Sequence, residues 1–480
     1  SGQTYEPVIE NLVLETEGAL RTTIKIEGRF QSLAQDAFCE FFSRLSFYAN
    51  SALVKVEFTI LNSKAAEHPG GLWDLGDPGS VFFKDLSLNL RMRSHSDVPS
   101  AVQWQTAPMG TIHSMNLKEG SDQSDSFTMY QDSSGGEHWK SLNHVNHKGE
   151  VRHRFRGYQV VLNGDLIEEG FRANPIIRVG RAENAIAATV QHFWQNFPKA
   201  LEAEQDTLHI RLFPHQFDDA FELQGGEQKT HTIFFDFRDE TTGKMGLAWT
   251  HHPLIPRTKP EWYAKSKALS YFAAENKKMK PEYRELIHSA IEGPDSFENR
   301  RERIDEYGWR NFGELYGDHE AIGHQGPEPL VSHYNNQYDG IFGFLNQYLR
   351  SGDARWFILG DQLCWHVIDT DLYHTDADRM EYNRGLFWHT DHYIDAGTAT
   401  HRCFSEKHLP HRNKAFYGGG PSLSHVYSSG LLLHHYMTGS MSSYEAVLEL
   451  GTFVENNIRA ENRLLRKIVS AARKSIAFVK

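Results

Sequence analysis

Thirteen of the chain's 27 histidines fall between Tyr307 and His435, interleaved with tryptophans, tyrosines and carboxylates. The densest part contains Trp388-His-Thr-Asp-His-Tyr-Ile-Asp395 and Thr400-His-Arg. Imidazoles, amides and carboxylates resist burial unless each finds a partner, so a core does not call for such a mixture. Aromatic faces beside many donors and acceptors suit a sugar, whose C–H faces stack on rings while its hydroxyls take hydrogen bonds. The composition of this stretch therefore points to a carbohydrate-active site.

Two segments carry the chemistry. In Ser332-His-Tyr-Asn-Asn-Gln-Tyr-Asp339, Asn335 and Asn336 can donate to a carboxylate or to hydroxyls, while His333 and Tyr338 can exchange protons. Helix capping by the same Asn and Asp residues is the structural reading of this segment. In the second segment, a helical backbone would put His389 on one face with His392 and Tyr393. Asp391 or Asp395 could orient an imidazole for proton transfer. The same residues could bind Zn²⁺, but the His-Glu-x-x-His signature is absent. His401-Arg402 supplies a guanidinium able to grip a uronate carboxylate, and Trp309 and Trp388 supply stacking faces. The Gly70-to-Ser80 stretch, with Trp73, could add a further ring over a cleft, against a plain tight turn. No catalytic metal is expected, and no cofactor, with a divalent cation such as Ca²⁺ left open.

These residues need elements to position them. Period-two runs such as Ala52-Leu-Val-Lys-Val-Glu-Phe-Thr-Ile and Leu208-His-Ile-Arg-Leu predict an antiparallel β-sandwich over residues 1–250. One helical exception is expected at about 185–197. Residues 251–262 hold a proline-rich linker. From 263 to 480 the periodicity turns helical, with the apolar stripe Ile341, Phe344, Leu345, Tyr348 and Leu349, and turn glycines at Gly352 and Gly439. Repeated helical hairpins predict an α/α toroid, partial or truncated because the remaining length is short for a full ring.

A net charge of −12 argues against a general nucleic-acid binder, and no apolar run reaches the ~20 residues of a membrane helix. Cys39, Cys364 and Cys403 lack a Cys-x-x-Cys spacing and read as core or free thiols. The start at Ser1-Gly2 and the abrupt end suggest flanking sequence beyond both termini.

The long motifs resemble the exo-rhamnogalacturonan lyase-like family. They are Tyr307-Gly-Trp-Arg-Asn-Phe-Gly, His333-Tyr-Asn-Asn-Gln-Tyr-Asp, Arg355-Trp-Phe, the Tyr373-to-Asp378 stretch, Gly385-Leu-Phe-Trp-His-Thr-Asp-His-Tyr and Thr400-His-Arg. Phe193-Trp-Gln-Asn-Phe-Pro-Lys-Ala and Gly225-Gly-Glu-Gln-Lys-Thr-His231 are similar too. The resemblance implies an N-terminal barrel, a central β-sandwich and a C-terminal α/α toroid, of which this chain would supply the last two. It also implies lyase chemistry on an acidic, rhamnose- and uronate-containing glycan outside the cytoplasm. β-Elimination needs a carboxylate neutraliser (Asn335, Asn336 or Arg402), a base (His389 or His333) and an acid (Tyr338 or Tyr393). Trp309, Trp388, Asp391, His392 and His401 would hold substrate. The rival expectations are a glycoside hydrolase using paired carboxylates such as Asp339 with Asp391 or Asp395, and a non-catalytic glycan binder.

Overall fold

The computed structural model describes residues 2–34, 36–92, 100–117, 125–181, 184–238, 246–276, 278–316, 333–388, 401–402 and 420–461. Strands come first. Nine form one antiparallel sheet, in the order β1 (Glu6–Glu17), β2 (Arg21–Gln31), β3 (Ala37–Tyr48), β4 (Leu53–Leu61), β17 (Gln228–Asp236), β13 (Asn184–Val190), β12 (Ile176–Arg181), β7 (Ser100–Gln105) and β8 (His113–Leu117). Six form a second sheet: β11 (Asp165–Gly170), β10 (Tyr158–Leu162), β9 (Ser126–Gln131), β14 (Lys199–Glu204), β15 (Thr207–Phe213) and β6 (Leu86–Arg91). A two-stranded ribbon joins β5 (Val81–Phe83) to β16 (Phe221–Leu223).

The two large sheets share one core. Val102, Ile177, Val179 and Ile233 from the first meet Phe127, Met129, Leu201, Leu208 and Ile210 from the second. Alternation along each strand sends these residues inward, as face-to-face sheet packing requires. The expected helix near 185–197 does not form. Asn184–Val190 is strand β13, paired with both β12 and β17, and the chain then turns. The β-branched Ile186, Thr189 and Val190 favour the pleated backbone, and burial between two strands outweighs the helix-compatible alanines.

Several helices follow: α1 (Pro260–Ser266), α2 (Pro281–Ser289), α3 (Phe297–Ile304), α4 (Gly340–Ser351), α5 (Ala354–His366), α6 (Ser429–Thr438) and α7 (Met441–Glu461). The α4 stripe is buried as its spacing requires, and the Asp339 carboxylate caps the helix by accepting from the Phe342 N–H at 3.2 Å. Gly352 and Gly439, with φ of 72° and 73°, end α4 and α6 in the left-handed conformation, each with its amide on the preceding turn. No helix among the described residues is long and apolar enough to cross a membrane.

The helices sit on polar groups of the nine-stranded sheet. Arg44 on β3 donates to Ser442 at 2.9 Å and pairs with Glu445 at 2.6 Å, both on α7. Thr230 on β17 donates from its amide (3.0 Å) and its hydroxyl (2.7 Å) to Asp369, just after α5. These buried bonds fix how the helical layer faces the sheet.

Candidate active site

Residues 305–316, which follow α3, run along the seam between sandwich and helices. The Gly308 amide donates to the Gln195 carbonyl at 2.7 Å and the Trp309 amide to the Phe197 carbonyl at 3.0 Å, tying this segment to the sandwich. Gly313, with φ of 109°, brings it against α5. A Cβ there would lie 2.4 Å from the Gln362 carbonyl oxygen and 2.7 Å from the His366 Cβ, so only glycine permits the approach.

A cleft opens beside this segment. Its wall includes Asn143, His144, Arg152, His153, Phe217, Asp219, Glu222, Trp309, Arg310, Asn311 and His333. Trp309 packs edge-on against Phe213, with the Arg310 guanidinium 4.3 Å from its ring centroid. Arg310 also reaches the Glu227 carboxylate at 3.0 Å. His144 Nε2 lies 2.8 Å from Asp305 Oδ1, so its Nε2–H donates to that carboxylate and the ring is oriented by it. Burial, then the neighbouring His144, pushes His153 down to about 3, so this imidazole is neutral. Burial raises the Glu222 carboxyl, although Arg310 and the Gly76 amide oppose it.

Behind the cleft lies a buried imidazole–carboxylate cluster. His333 and His401 rings are 3.9 Å apart, and His366 and His401 rings 4.4 Å. Glu306 is 3.4 Å from His333 Nδ1. Glu314 is 3.3 Å from His401 and 3.5 Å from His366, and Asp371 is 3.4 Å from His366. Burial opposes charge on His366, but Asp371 and Glu314 outweigh it and raise the imidazole to about 10. Burial, then the His333 and His366 charges, holds His401 well below its ordinary range. Among the described residues, two sets have ligand atoms that all lie within 4.8 Å of one another: Glu314, His366, Asp371 and His401, and Glu306, His333 and His401.

The sequence candidates divide. Trp309 and His333 line the cleft, and His401 stands behind it, its Nε2 2.9 Å from Asn311 Oδ1. Asn335 is structural: its amide N–H donates to Glu314 at 3.1 Å and its side chain to the Trp388 and His401 carbonyls. Asn336 accepts from the Ile341 amide at 3.2 Å at the start of α4. Both asparagines have positive φ, which their short polar side chains tolerate. Tyr338 is 76% exposed and absent from the cleft wall. Arg402 is not poised for a uronate either. It is buried, donates to the Gly225 carbonyl at 2.7 Å and lies 4.7 Å from the Phe387 ring centroid. Trp388 stacks on His425 at 4.1 Å. Asp339 serves as a cap rather than as one of two catalytic carboxylates. Trp73 is buried against Tyr373 and Phe387, so the Gly70 stretch adds no ring to a cleft. His389, Asp391, His392, Tyr393, Asp395 and Cys403 lie outside the described residues.

Sequence reasoning missed His144, His153, Arg310, Asn311, Glu314, His366 and Asp371. Arg310 and Asn311 stand in the Tyr307-Gly-Trp-Arg-Asn-Phe-Gly motif, from which only Trp309 was singled out. The sandwich signal was His138, His144, His147 and His153, a second histidine-rich stretch.

Residues 1–69 match the family model described as "PcRGLX-like protein central beta sandwich domain". This covers β1 to β4 and agrees with the resemblance that the motifs carry. Comparison with solved structures gives weak likenesses only. The α-galactosidase from Lactobacillus brevis shares 10% identity, with 49% of this chain and 27% of that one covered and a TM-score of 0.27. For a putative aldose 1-epimerase from Klebsiella pneumoniae the values are 8%, 50%, 55% and 0.24. For a galactose mutarotase related enzyme from Lactobacillus acidophilus they are 9%, 50%, 74% and 0.23. The chain thus spans about a quarter of the length of the α-galactosidase. A search among curated proteins found no match.

Proposed function

We propose that this protein is a polysaccharide lyase that cleaves a uronate-containing, rhamnogalacturonan-like glycan by β-elimination, and that it works outside the cytoplasm. The observation that carries the reading is the cleft wall itself. A stacking ring (Trp309), a guanidinium (Arg310), amides (Asn143, Asn311) and two carboxylate-backed imidazoles (His144, His333) border one space.

Each group has a place in the reaction. Arg310 with Asn311 neutralises the uronate carboxylate, which makes the C5 proton acidic. His144 removes that proton through Nδ1, because Asp305 holds the other ring nitrogen. The electron pair moves to form the C4–C5 double bond as the C4–O4 bond breaks. His333, oriented by Glu306, delivers a proton to the departing oxygen. The helices that carry the site belong in this reading to an α/α toroid.

The test is incubation with a panel of acidic polysaccharides while following ultraviolet absorbance of the unsaturated uronate. His144→Ala is expected to cut turnover by roughly 10²–10⁴-fold, the range for a lost acid–base group. Unchanged turnover in the folded variant would remove His144 from the mechanism. A product that gains water and has no double bond would replace the lyase with a hydrolase, for which Glu222, with its raised carboxyl, is the candidate acid.

A further inference from the structure

Glu314, His366, Asp371 and His401 come from three stretches of chain, and all four side chains are buried. Two carboxylates and two imidazoles meet there in a buried interior, where the negative charge is costly unless a proton on His366 or a metal ion compensates it. Both Asp371 oxygens are buried and make no hydrogen bond in the described structure. That carboxylate points into the cluster, 3.4 Å from His366 Nε2.

The separations are informative. His366 Nε2 to His401 Nδ1 is 3.2 Å, His401 Nδ1 to Glu314 Oε2 is 3.3 Å, and His366 Nε2 is 3.5 Å from Glu314 and 3.4 Å from Asp371. A tetrahedron with zinc–ligand bonds of about 2.0–2.2 Å has edges of roughly 3.3–3.6 Å. Four of the six edges lie at or within 0.1 Å of that range, and the two from Asp371 to Glu314 and His401 are within 4.8 Å. Outer contacts also suit ligands. Asn311 Oδ1 takes the His401 Nε2–H at 2.9 Å, which turns the Nδ1 lone pair inward. The Leu315 and Asn335 amides hold the Glu314 carboxylate at 2.6 and 3.1 Å.

We infer that Glu314, His366, Asp371 and His401 form a buried, four-coordinate site for a divalent transition metal, best suited to Zn²⁺. Two imidazoles and this compact geometry disfavour Ca²⁺, which takes 6–8 oxygens at 2.3–2.6 Å. The ion would tie α5 and the turn after it to the segment that carries Trp309, Arg310 and Asn311. Its role is to position the cleft wall, whatever reaction the cleft performs.

Metal analysis and spectroscopy on the full chain test this without an activity assay. Protein from zinc-supplemented culture should hold about one equivalent of zinc. After chelation, Co²⁺ titration should restore one equivalent with the intense visible bands of four-coordinate cobalt. His401→Gln and Asp371→Asn should each lower bound zinc at least tenfold, whereas exposed His215→Gln should not change it. Wild-type protein with far less than one equivalent of zinc, or with only the weak bands of six-coordinate cobalt, would overturn the assignment. So would full zinc retention in His401→Gln. The wild-type measurements decide the matter even if the variants fail to fold.

Discussion

Arg310 shows how much one side chain can settle in this cleft. Its planar guanidinium bonds Glu227 and covers Trp309, so the cation is fixed before any substrate arrives. Arg310→Lys keeps the charge and loses the fork. Steady-state assays on an acidic glycan should show kcat/KM reduced by about 10–100-fold, corresponding to about 1.4–2.7 kcal/mol. Tyr338 offers the contrast. The sequence marks it as a proton donor, but its ring is exposed beside Tyr427 at a 6.5 Å centroid separation. Tyr338→Phe should leave turnover within about twofold of wild type; a larger loss would bring Tyr338 back as an acid.

At the scale of elements, the α4–α5 and α6–α7 hairpins are held together by more than their apolar stripes. His434 on α6 bonds Asp361 on α5 at 2.9 Å and Ser443 on α7 at 2.7 Å. Burial opposes charge on this imidazole, but the Cys364 sulfur and the Asp361 carboxylate outweigh it and raise His434 to about 10. A folded value above the unfolded ~6.5 means the bond's stabilisation is complete below that pH and fades as pH rises through about 10. The Asp361 side chain is 29% exposed, so solvent screens the pair. Asp361→Asn should cost about 1–2 kcal/mol by urea unfolding at pH 6, and the difference should narrow toward pH 10. A gap that widens with pH would contradict the pairing. Gly313→Ala tests the approach of residues 305–316 to α5. Thermal unfolding should register a loss of about 1–3 kcal/mol from the forced backbone and the close contact with Gln362.

For the molecule as a whole, the seam between sheet and helices depends on a few buried polar bonds. Asp369 accepts twice from Thr230 and lies 3.5 Å from the buried Lys229 ammonium nitrogen. Asp369→Ala would remove the carboxylate that the Thr230 amide and Lys229 share in the seam. Denaturant titration should show a loss of about 3–5 kcal/mol. The exposed Arg459–Glu455 pair supplies the control, since Glu455→Ala should change stability by less than about 0.5 kcal/mol. Equal effects from the two substitutions would show that the seam does not depend on Asp369.

Local pattern made several features legible in the sequence. Period-two alternation marked the strands, the α4 stripe marked its helix, and Gly352 and Gly439 marked the hairpin turns, because each signal arises among neighbours along the chain. The 307–313 motif and His333 were likewise visible as candidates. Alternation could not reveal that Asn184–Val190 is a strand, since burial between β12 and β17 decided it. Nor could it place Arg402 against aromatic rings or bring His144 from the sandwich to the cleft that His333 also lines. Asp371 and Glu314, 57 residues apart in the numbering, meet because Gly313 admits the chain to α5. Residue type and spacing determined which groups could do chemistry here. Long-range packing, which no local window contains, decided which of them share a site.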